Sequence, residues 1–152
     1  MIPKVVNGDE RICMTSKIFI DTNILVYTMD KHDTAKQQKC RGLLKSLAQD
    51  NLGVISTQVL QEFYVVATKK LKVDPLAAKD ILASFEYFEI IAVTPQFIKD
   101  AIDISIINMI SFWDALIVAS AEHAKCSVIL TEDLNHGQII RGVKINNPFN
   151  LH

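Results

Sequence analysis

Short apolar runs alternate along the chain with longer segments whose apolar residues recur at helical spacing. The runs at 18–20, 54–56, 127–130 and 143–145 are brief and rich in β-branched residues, which is typical of strands buried on both faces of a parallel sheet. A further strand is predicted at 89–93. Polar residues follow the first and third runs at once, at the sheet edge where α/β folds bind their ligands.

Helices are predicted between these strands. They occupy 34–49, 57–71, 75–87, 95–108 and 111–124, after a short, one-sided apolar segment at 23–30. Several begin beside a residue that can cap a helix, such as Asp33, or with a proline in the first turn. Strands that alternate with helices predict a single α/β domain at 17–152, with a central, mostly parallel sheet flanked by helices. Residues 1–16 are predicted to be an N-terminal tail without a chemical role.

Composition narrows the class of protein. The chain has 152 residues, of which 49% are hydrophobic, and a net charge of -1. These values suit one compact domain and argue against nucleic-acid binding through bulk positive charge. The three cysteines form no Cys-x-x-Cys pair, which favours a reducing compartment. The first ten residues lack the apolar core of a signal peptide, and no apolar run reaches the roughly 20 residues of a membrane span. We therefore expect a cytoplasmic protein without membrane contact.

Four acids lie beside the predicted core instead of on open helix faces. Asp21 and Asp133 each come just after a buried strand, and Asp114 lies in the first turn of a helix that is apolar on nearly all sides. Glu62 falls at the border of an apolar helix stripe. Carboxylates in such places are unfavourable unless a cation joins them. A hard divalent cation, Mg²⁺ or Mn²⁺, is the expected partner, because such ions prefer oxygen ligands.

Each of these acids also has a purely structural interpretation. The Ser111-x-x-Asp114 pattern is capping-box-like, so both residues could serve only the start of a helix. Thr131 and Asp133 could simply form a turn, and Glu62 could be a solvated flank residue. Only the conjunction of the four favours a metal site. Zinc is disfavoured, because no His or Cys spacing matches a tetrahedral site.

Four stretches of the chain resemble one known family. The stretches are 19–27 (FIDTNILVY), 56–64 (STQVLQEFY), 111–117 (SFWDALI) and 131–134 (TEDL). In this order and at these separations the chain resembles the PIN-domain ribonucleases, and more narrowly the VapC-type toxins of type II toxin–antitoxin systems. The resemblance covers residues 17–149.

The resemblance implies Mg²⁺- or Mn²⁺-dependent endonucleolytic cleavage of RNA by a metal-activated water. It implies that Asp21, Asp114 and Asp133 hold the metal and that Glu62 binds metal or orients the nucleophile. It implies supporting roles for Asn23 and Thr131, which would fix the carboxylates, and for Ser111, which contacts the pocket or only caps its helix. It further implies a homodimer and an antitoxin protein whose tail blocks the acidic pocket.

Possible RNA contacts form a separate group of residues. The lysines on predicted helix faces and ends are Lys36, Lys39, Lys69, Lys70 and Lys72. Each could instead be a solvated residue that complements a helix dipole. Trp113 and Tyr27 could stack on bases, although packing in the core is the expectation for both.

Other functions remain open from the sequence. A PIN-type nuclease could act in RNA processing without an antitoxin. A catalytically silent module that binds RNA or protein would have no reason to keep four crowded acids. A haloacid-dehalogenase-like phosphatase needs Asp-x-Asp after its first strand, whereas here the second position is Asn23.

Overall fold

The computed structural model describes residues 16–150, and these form a six-stranded sheet flanked by helices. The strands are β1 (Lys17–Ile20), β2 (Gly53–Ser56), β3 (Glu89–Ile91), β4 (Cys126–Leu130), β5 (Ile139–Ile140) and β6 (Val143–Asn146). Their order across the sheet is β3-β2-β1-β4-β6-β5. Every neighbouring pair is parallel except β5 with β6. The predicted α/β architecture is therefore confirmed.

The helices connect these strands in the predicted order. They are α1 (Thr22–Tyr27), α2 (Thr34–Asp50), α3 (Thr57–Lys69), α4 (Pro75–Ser84), α5 (Pro95–Asn108) and α6 (Phe112–His123). A 3₁₀ turn at Phe85–Tyr87 follows α4, where the sequence predicted that the helix would continue. Asp33 caps α2, and the hydroxyl of Ser56 caps α3 by accepting a hydrogen bond from the amide of Val59.

The core lies on both faces of the central strands. Phe19, Ile20, Val54 and Ile129 are fully buried, because helices cover the sheet from both sides. Helix α6 is buried from Ala115 to Ala121, as its apolar character predicts. Its first turn nevertheless extends beyond the core, which matters for the site.

The two-residue strand β5 was not predicted from the sequence, because two residues are too short to show a period. The predicted N-terminal tail, residues 1–16, lies outside the described residues except for Ser16.

Strand β1 is the centre of the sheet, since β2 pairs with one of its edges and β4 with the other. From β1 the chain first builds the sheet outwards through β2 and β3, and it then returns to add β4 on the opposite side. The carboxyl ends of β1 and β4 therefore border the crevice in which an α/β sheet binds ligands.

Candidate active site

Asp21 lies at the carboxyl end of β1, in the crevice between β1 and β4. Its side chain is only 6% exposed. One carboxylate oxygen accepts a hydrogen bond of 2.7 Å from the amide of Thr22, and the other accepts one of 2.7 Å from the hydroxyl of Thr131. The amide of Asp21 donates to the carbonyl of Leu130 at 3.0 Å. The carboxylate is therefore held by residues that follow both β1 and β4.

Asn23 connects α1 to the loop that follows β4. Its side-chain amide donates to Asp133 Oδ2 at 2.9 Å and to Thr131 Oγ1 at 3.4 Å. The amide of Glu132 donates in return to Asn23 Oδ1 at 3.4 Å. The amide of Asp133 donates to Thr131 Oγ1 at 3.0 Å. Asn23 and Thr131 thus lie where they can hold the rotamers of Asp133 and Asp21.

Glu62 and Asp114 come to the crevice from two helices. Thr22 Oγ1 donates to Glu62 Oε1 at 3.1 Å, which ties α3 to α1. Asp114 lies in the first turn of α6, where its amide donates to Ser111 Oγ at 3.1 Å. Ser111 is therefore the N-cap of α6. Capping of α6 therefore accounts for the hydrogen bond that Ser111 accepts. Asp114 occupies the first turn of the helix and also belongs to the acidic cluster.

The four acids share one electrostatic field. Burial raises the pKa of Asp21 to about 7, because its effect outweighs the hydrogen bonds from Thr131 and Thr22, which lower the pKa. The negative charges of Asp133 and Glu62 raise it further. Burial also raises the pKa of Glu62 and of Asp114 above their ordinary values. The negative charge of Asp133 contributes to all three increases. Asp133 is thus the carboxylate that couples to each of the others.

No cation of the described residues is paired directly with these acids. None of the ion pairs within residues 16–150 includes Asp21, Glu62, Asp114 or Asp133. A cavity of about 300 Å³ opens at the cluster. Its lining includes Thr22, Asn23, Tyr27, Glu62, Lys70 and Asp133. We call this the acid cavity.

The donor set of the acid cavity fits a hard divalent cation. Of the four acids, Glu62 and Asp133 line the cavity and offer it their carboxylate oxygens, whereas Asp21 and Asp114 do not line it. Asp21 precedes the lining residue Thr22 and is held in a place that disfavours its charged form unless a positive charge is added. In the described part of the chain, no three acid, histidine or cysteine side chains converge tightly enough to enclose an ion by themselves. Mg²⁺ does not require that, because it is commonly bound by one or two carboxylates and keeps several waters.

The five lysines predicted to contact RNA lie in different environments. Lys70 is exposed and lines the acid cavity. Lys39, Lys69 and Lys72 are exposed but do not line it. Lys36 instead forms an ion pair with Glu132 and lies 4.7 Å from the ring centroids of Tyr27 and Phe149. The ammonium group of Lys36 is thus engaged within the protein.

The network around Glu132 was not predicted from the sequence. Tyr27 OH donates to Glu132 Oε1 at 2.6 Å, and Lys36 Nζ donates to Tyr27 OH at 3.2 Å. Burial opposes ionisation of Glu132, but the hydrogen bonds from Lys36 and Tyr27 outweigh it and lower the pKa of this carboxyl. Glu132 is therefore a paired anchor between Thr131 and Asp133 and not a fifth free acid.

The aromatic residues that were expected in the core behave differently from each other. Tyr27 is partly buried and contacts Phe149 edge to face at 5.3 Å. The expectation is wrong for Trp113, whose side chain is 61% exposed. Trp113 is the second residue of α6, and the first turn of that helix projects past the core that buries its later residues.

A larger cavity lies elsewhere in the protein. It has a volume of about 660 Å³ between α2 and α4, where Arg41, Leu44, Ile81 and Phe85 line it. None of the four acids contributes to it. We assign the candidate site to the smaller acid cavity, because chemistry depends on the groups that line a cavity and not on its volume.

Within residues 16–150, no single helix is long and apolar enough to cross a membrane. By length and composition alone, α5 and α6 together would pass such a test as a pair bent by 119°.

Comparison with known structures supports the assignment of the fold. The toxin VapC20 of Mycobacterium tuberculosis, which cleaves the sarcin–ricin loop, is 18% identical, with a TM-score of 0.63 over 77% of this chain and 92% of that one. A toxin–antitoxin complex from Klebsiella pneumoniae contains a chain that is 20% identical, with a TM-score of 0.66 over 90% of this chain and 100% of that one. VapBC2 of Rickettsia felis, bound to promoter DNA, is 24% identical, with a TM-score of 0.63 over 86% of this chain and 97% of that one.

Comparison of sequences supplies the family. None of the curated protein sequences matches the chain significantly. The family model of the PIN domain matches residues 18–141, a span that contains all four acids and all of β1 except Lys17. The match includes more than half of the chain and each stretch on which the resemblance was based. The chain therefore belongs to the PIN domain family.

Proposed function

We propose that this protein is a Mg²⁺- or Mn²⁺-dependent endoribonuclease and the toxin of a toxin–antitoxin pair. The observation that carries the proposal is the cluster of Asp21, Glu62, Asp114 and Asp133, none of which forms an ion pair within residues 16–150. Displacement at phosphorus uses such carboxylate sites. Membership in the PIN family and the fold shared with VapC toxins support the same activity.

The residues have distinct roles in this proposal. Asp21, Asp114 and Asp133 would hold the metal directly or through water, and Glu62 would bind metal or orient the attacking water. Bound Mg²⁺ or Mn²⁺ would supply a water of lowered pKa and neutralise charge on the phosphate oxygens. Cleavage would leave a 5′-phosphate and a 3′-hydroxyl. Asn23 and Thr131 keep the carboxylates in place through the hydrogen bonds described above.

Lys70 is the best placed of the five lysines to contact the substrate. It lines the acid cavity together with Glu62 and Asp133, whereas Lys36 is already paired with Glu132. An ammonium at the rim of an acidic cavity can bind a phosphate that flanks the scissile bond. Lys39, Lys69 and Lys72 would add longer-range attraction.

Two partners belong to the proposal. Several proteins with this fold were solved as toxin–antitoxin complexes, and an arginine of an antitoxin could occupy the carboxylate cluster in place of the metal. For self-association, α5 presents Ile98, Ile102 and Ile106 at intervals of four residues, all exposed, with Ile107 beside them. Such an apolar surface favours a protein interface, here a homodimer.

A PIN-type nuclease that processes RNA without an antitoxin is the second candidate. The same acid cavity would serve it, so the carboxylates do not discriminate between the two. Growth discriminates them, since a toxin expressed alone arrests its host, and coexpression with its antitoxin restores growth. A silent binding module would show neither effect.

The decisive experiment is cleavage of a mixed RNA substrate by the purified protein. We expect cleavage with Mg²⁺ or Mn²⁺, none in EDTA, and a loss of at least about 100-fold in Asp21→Asn, because metal assistance contributes several kcal/mol. Asp103→Asn is the matched control, since Asp103 is an exposed acid of α5 outside the acid cavity. Metal-dependent cleavage by folded Asp21→Asn protein would refute the proposal.

A further inference from the structure

A second cavity, of about 360 Å³, adjoins the acid cavity on the other side of Glu62. Its lining residues are Gln58, Gln61, Glu62, Val65, Val66 and Trp113. Glu62 and Val66 line both cavities. A ligand in the second cavity would therefore lie directly beside the carboxylates that are proposed to act on RNA. We call it the Trp113 cavity.

Trp113 is an unusual residue for an exposed position. It is the single tryptophan of the chain, and 61% of its side chain is open to solvent. Its ring contacts Phe112 edge to face at 5.1 Å, and its carbonyl accepts a hydrogen bond of 3.1 Å from Gln58 Nε2. The backbone of Trp113 is thus held by Gln58, and its indole presents an exposed aromatic surface beside that residue.

Gln58 gives the Trp113 cavity a polar floor. The residue is 4% exposed, and its Oε1 has no hydrogen-bond partner within residues 16–150. A buried acceptor without a partner is unfavourable. This oxygen is enclosed, so a shift of the Gln58 side chain toward the cavity would let a donor of a ligand satisfy it. Gln61 adds an exposed amide at the rim. An aromatic surface together with amide groups is the combination that binds a nucleobase.

We propose that the Trp113 cavity binds the base of a nucleotide that neighbours the scissile phosphodiester of single-stranded RNA. Trp113 would stack on the base, Gln58 and Gln61 would contact its edge, and Val65 and Val66 would form the apolar wall. The inference rests on the proposed ribonuclease function and specifies which part of the RNA the protein would recognise, namely one base beside the scissile bond. Base preference at one position next to the cut would then originate in this cavity.

A second copy of the chain is a less suitable occupant of the Trp113 cavity. Burying it in a protein interface would remove water from the half-buried carboxylate of Glu62 and from the exposed amide of Gln61. The exposed isoleucines of α5 do not line this cavity, so a dimer could form through them without it. A stacked base, in contrast, leaves the sugar and phosphate facing the acid cavity.

The first test uses the single indole Nε1–H signal of Trp113 in a nitrogen–proton correlation spectrum. Nucleoside 5′-monophosphates contain no phosphodiester bond to cleave, and ribose 5-phosphate is the matched ligand without a base. We expect AMP, CMP, GMP or UMP to shift the indole signal in a saturable way and ribose 5-phosphate not to do so. Equal effects of ribose 5-phosphate and the nucleotides, or no effect of any of them, would overturn the proposal.

The second test uses cleavage kinetics. Trp113→Leu keeps an apolar side chain but removes stacking, and Trp113→Phe keeps a smaller ring. We expect KM for a short RNA to rise on the order of tenfold in Trp113→Leu and less in Trp113→Phe, with a changed base preference beside the cut. Tyr87→Ala, which removes another exposed aromatic side chain, should leave KM unchanged.

Sedimentation of the same variants distinguishes the alternatives. If Trp113→Leu dissociates an oligomer while KM and base preference stay unchanged, the Trp113 cavity is a self-interface and the proposal is wrong. The nucleotide titration does not depend on cleavage. Wild-type protein that binds nucleotides at Trp113 but cleaves no RNA would therefore overturn the proposed function and not the base-binding cavity.

Discussion

The side-chain amide of Asn23 donates a hydrogen bond of 2.9 Å to the carboxylate of Asp133. This bond joins α1 to the loop after β4 across a sequence separation of 110 residues. Because Asp133 is otherwise exposed, Asn23 limits the directions in which its carboxylate can point. The hydrogen bond also explains why an amide, and not a second acid, suits the position after Thr22.

Replacing Asn23 by Ala should weaken metal binding without unfolding the protein. Removing a group that orients a metal ligand commonly reduces metal affinity or activity by about 10- to 100-fold. We expect the Mg²⁺ concentration at half-maximal cleavage to rise within that range, while the circular dichroism spectrum stays the same. An unchanged Mg²⁺ dependence would show that Asp133 does not need this support.

Metal-free protein should lose stability as the pH rises from about 4 to about 7. The pKa of Asp21 is about 7 in the folded protein and 3.8 as its ordinary value. Folding therefore favours the protonated form, so the penalty is absent below the ordinary pKa and is complete above the folded one. At 1.36 kcal/mol per pKa unit, the decrease in stability amounts to about 4 kcal/mol.

Asp21→Asn isolates this effect. Asn cannot ionise but keeps an oxygen that can accept from the amide of Thr22, so the stability of the variant relative to wild type should improve as the pH rises from about 4 to about 7 and then level off. The measurement is urea unfolding in EDTA at several pH values. A stability difference that does not vary with pH would mean that burial of Asp21 exerts no electrostatic penalty.

Divalent cations should raise the melting temperature of the wild type more than that of Asp114→Asn. The cation relieves the repulsion among the acids, and removing one carboxylate reduces both the repulsion and the affinity for the ion. Thermal unfolding with increasing Mg²⁺ or Mn²⁺ tests this, with Asp103→Asn as the control. If wild type and Asp114→Asn shift equally, Asp114 serves only the dipole of α6.

Lys70→Ala should weaken RNA binding, whereas Lys69→Ala should have little effect. The two lysines are adjacent and both exposed, but only Lys70 lines the acid cavity. For single-stranded RNA, each phosphate that the protein no longer neutralises makes the slope of log affinity against log salt concentration shallower by about 0.7. Affinity measured across a series of salt concentrations would show the difference. Equal weakening in both variants would point to diffuse attraction instead of a defined phosphate site.

The Lys36–Glu132 ion pair should contribute measurably to stability. A double-mutant cycle of Lys36→Met and Glu132→Gln is expected to give a coupling free energy of about 1 kcal/mol, at the upper end for accessible pairs. Lys17 and Glu89 form a more exposed pair, and their cycle is the comparison. The single variants should also raise the Mg²⁺ requirement, because Glu132 fixes the loop that carries Asp133. A coupling free energy of zero would mean that Asn23, and not the Lys36–Glu132 pair, holds the loop that carries Asp133.

The sequence predicted the parts of the molecule that depend on local pattern. The apolar runs before Asp21 and Thr131 identified β1 and β4, and the acids at their ends followed from that assignment. It missed pairings that depend on distant partners, such as Lys36 with Glu132, which are 96 residues apart. It also placed Trp113 in the core, because hydropathy describes α6 as a whole and does not show where its first turn leaves the packed interior.

The central position of β1 determines how unfolding of the protein reaches the candidate active site. Asp21 directly follows β1, the strand that lies between β2 and β4. Its amide donates a hydrogen bond to the carbonyl of Leu130 in β4. Peripheral elements such as β5 can open without disturbing it, since local opening begins where few buried contacts exist. Displacing Asp21 requires separation of the central strands themselves. Heat inactivation and global unfolding should therefore be a single event, and refolding should restore the site together with the sheet.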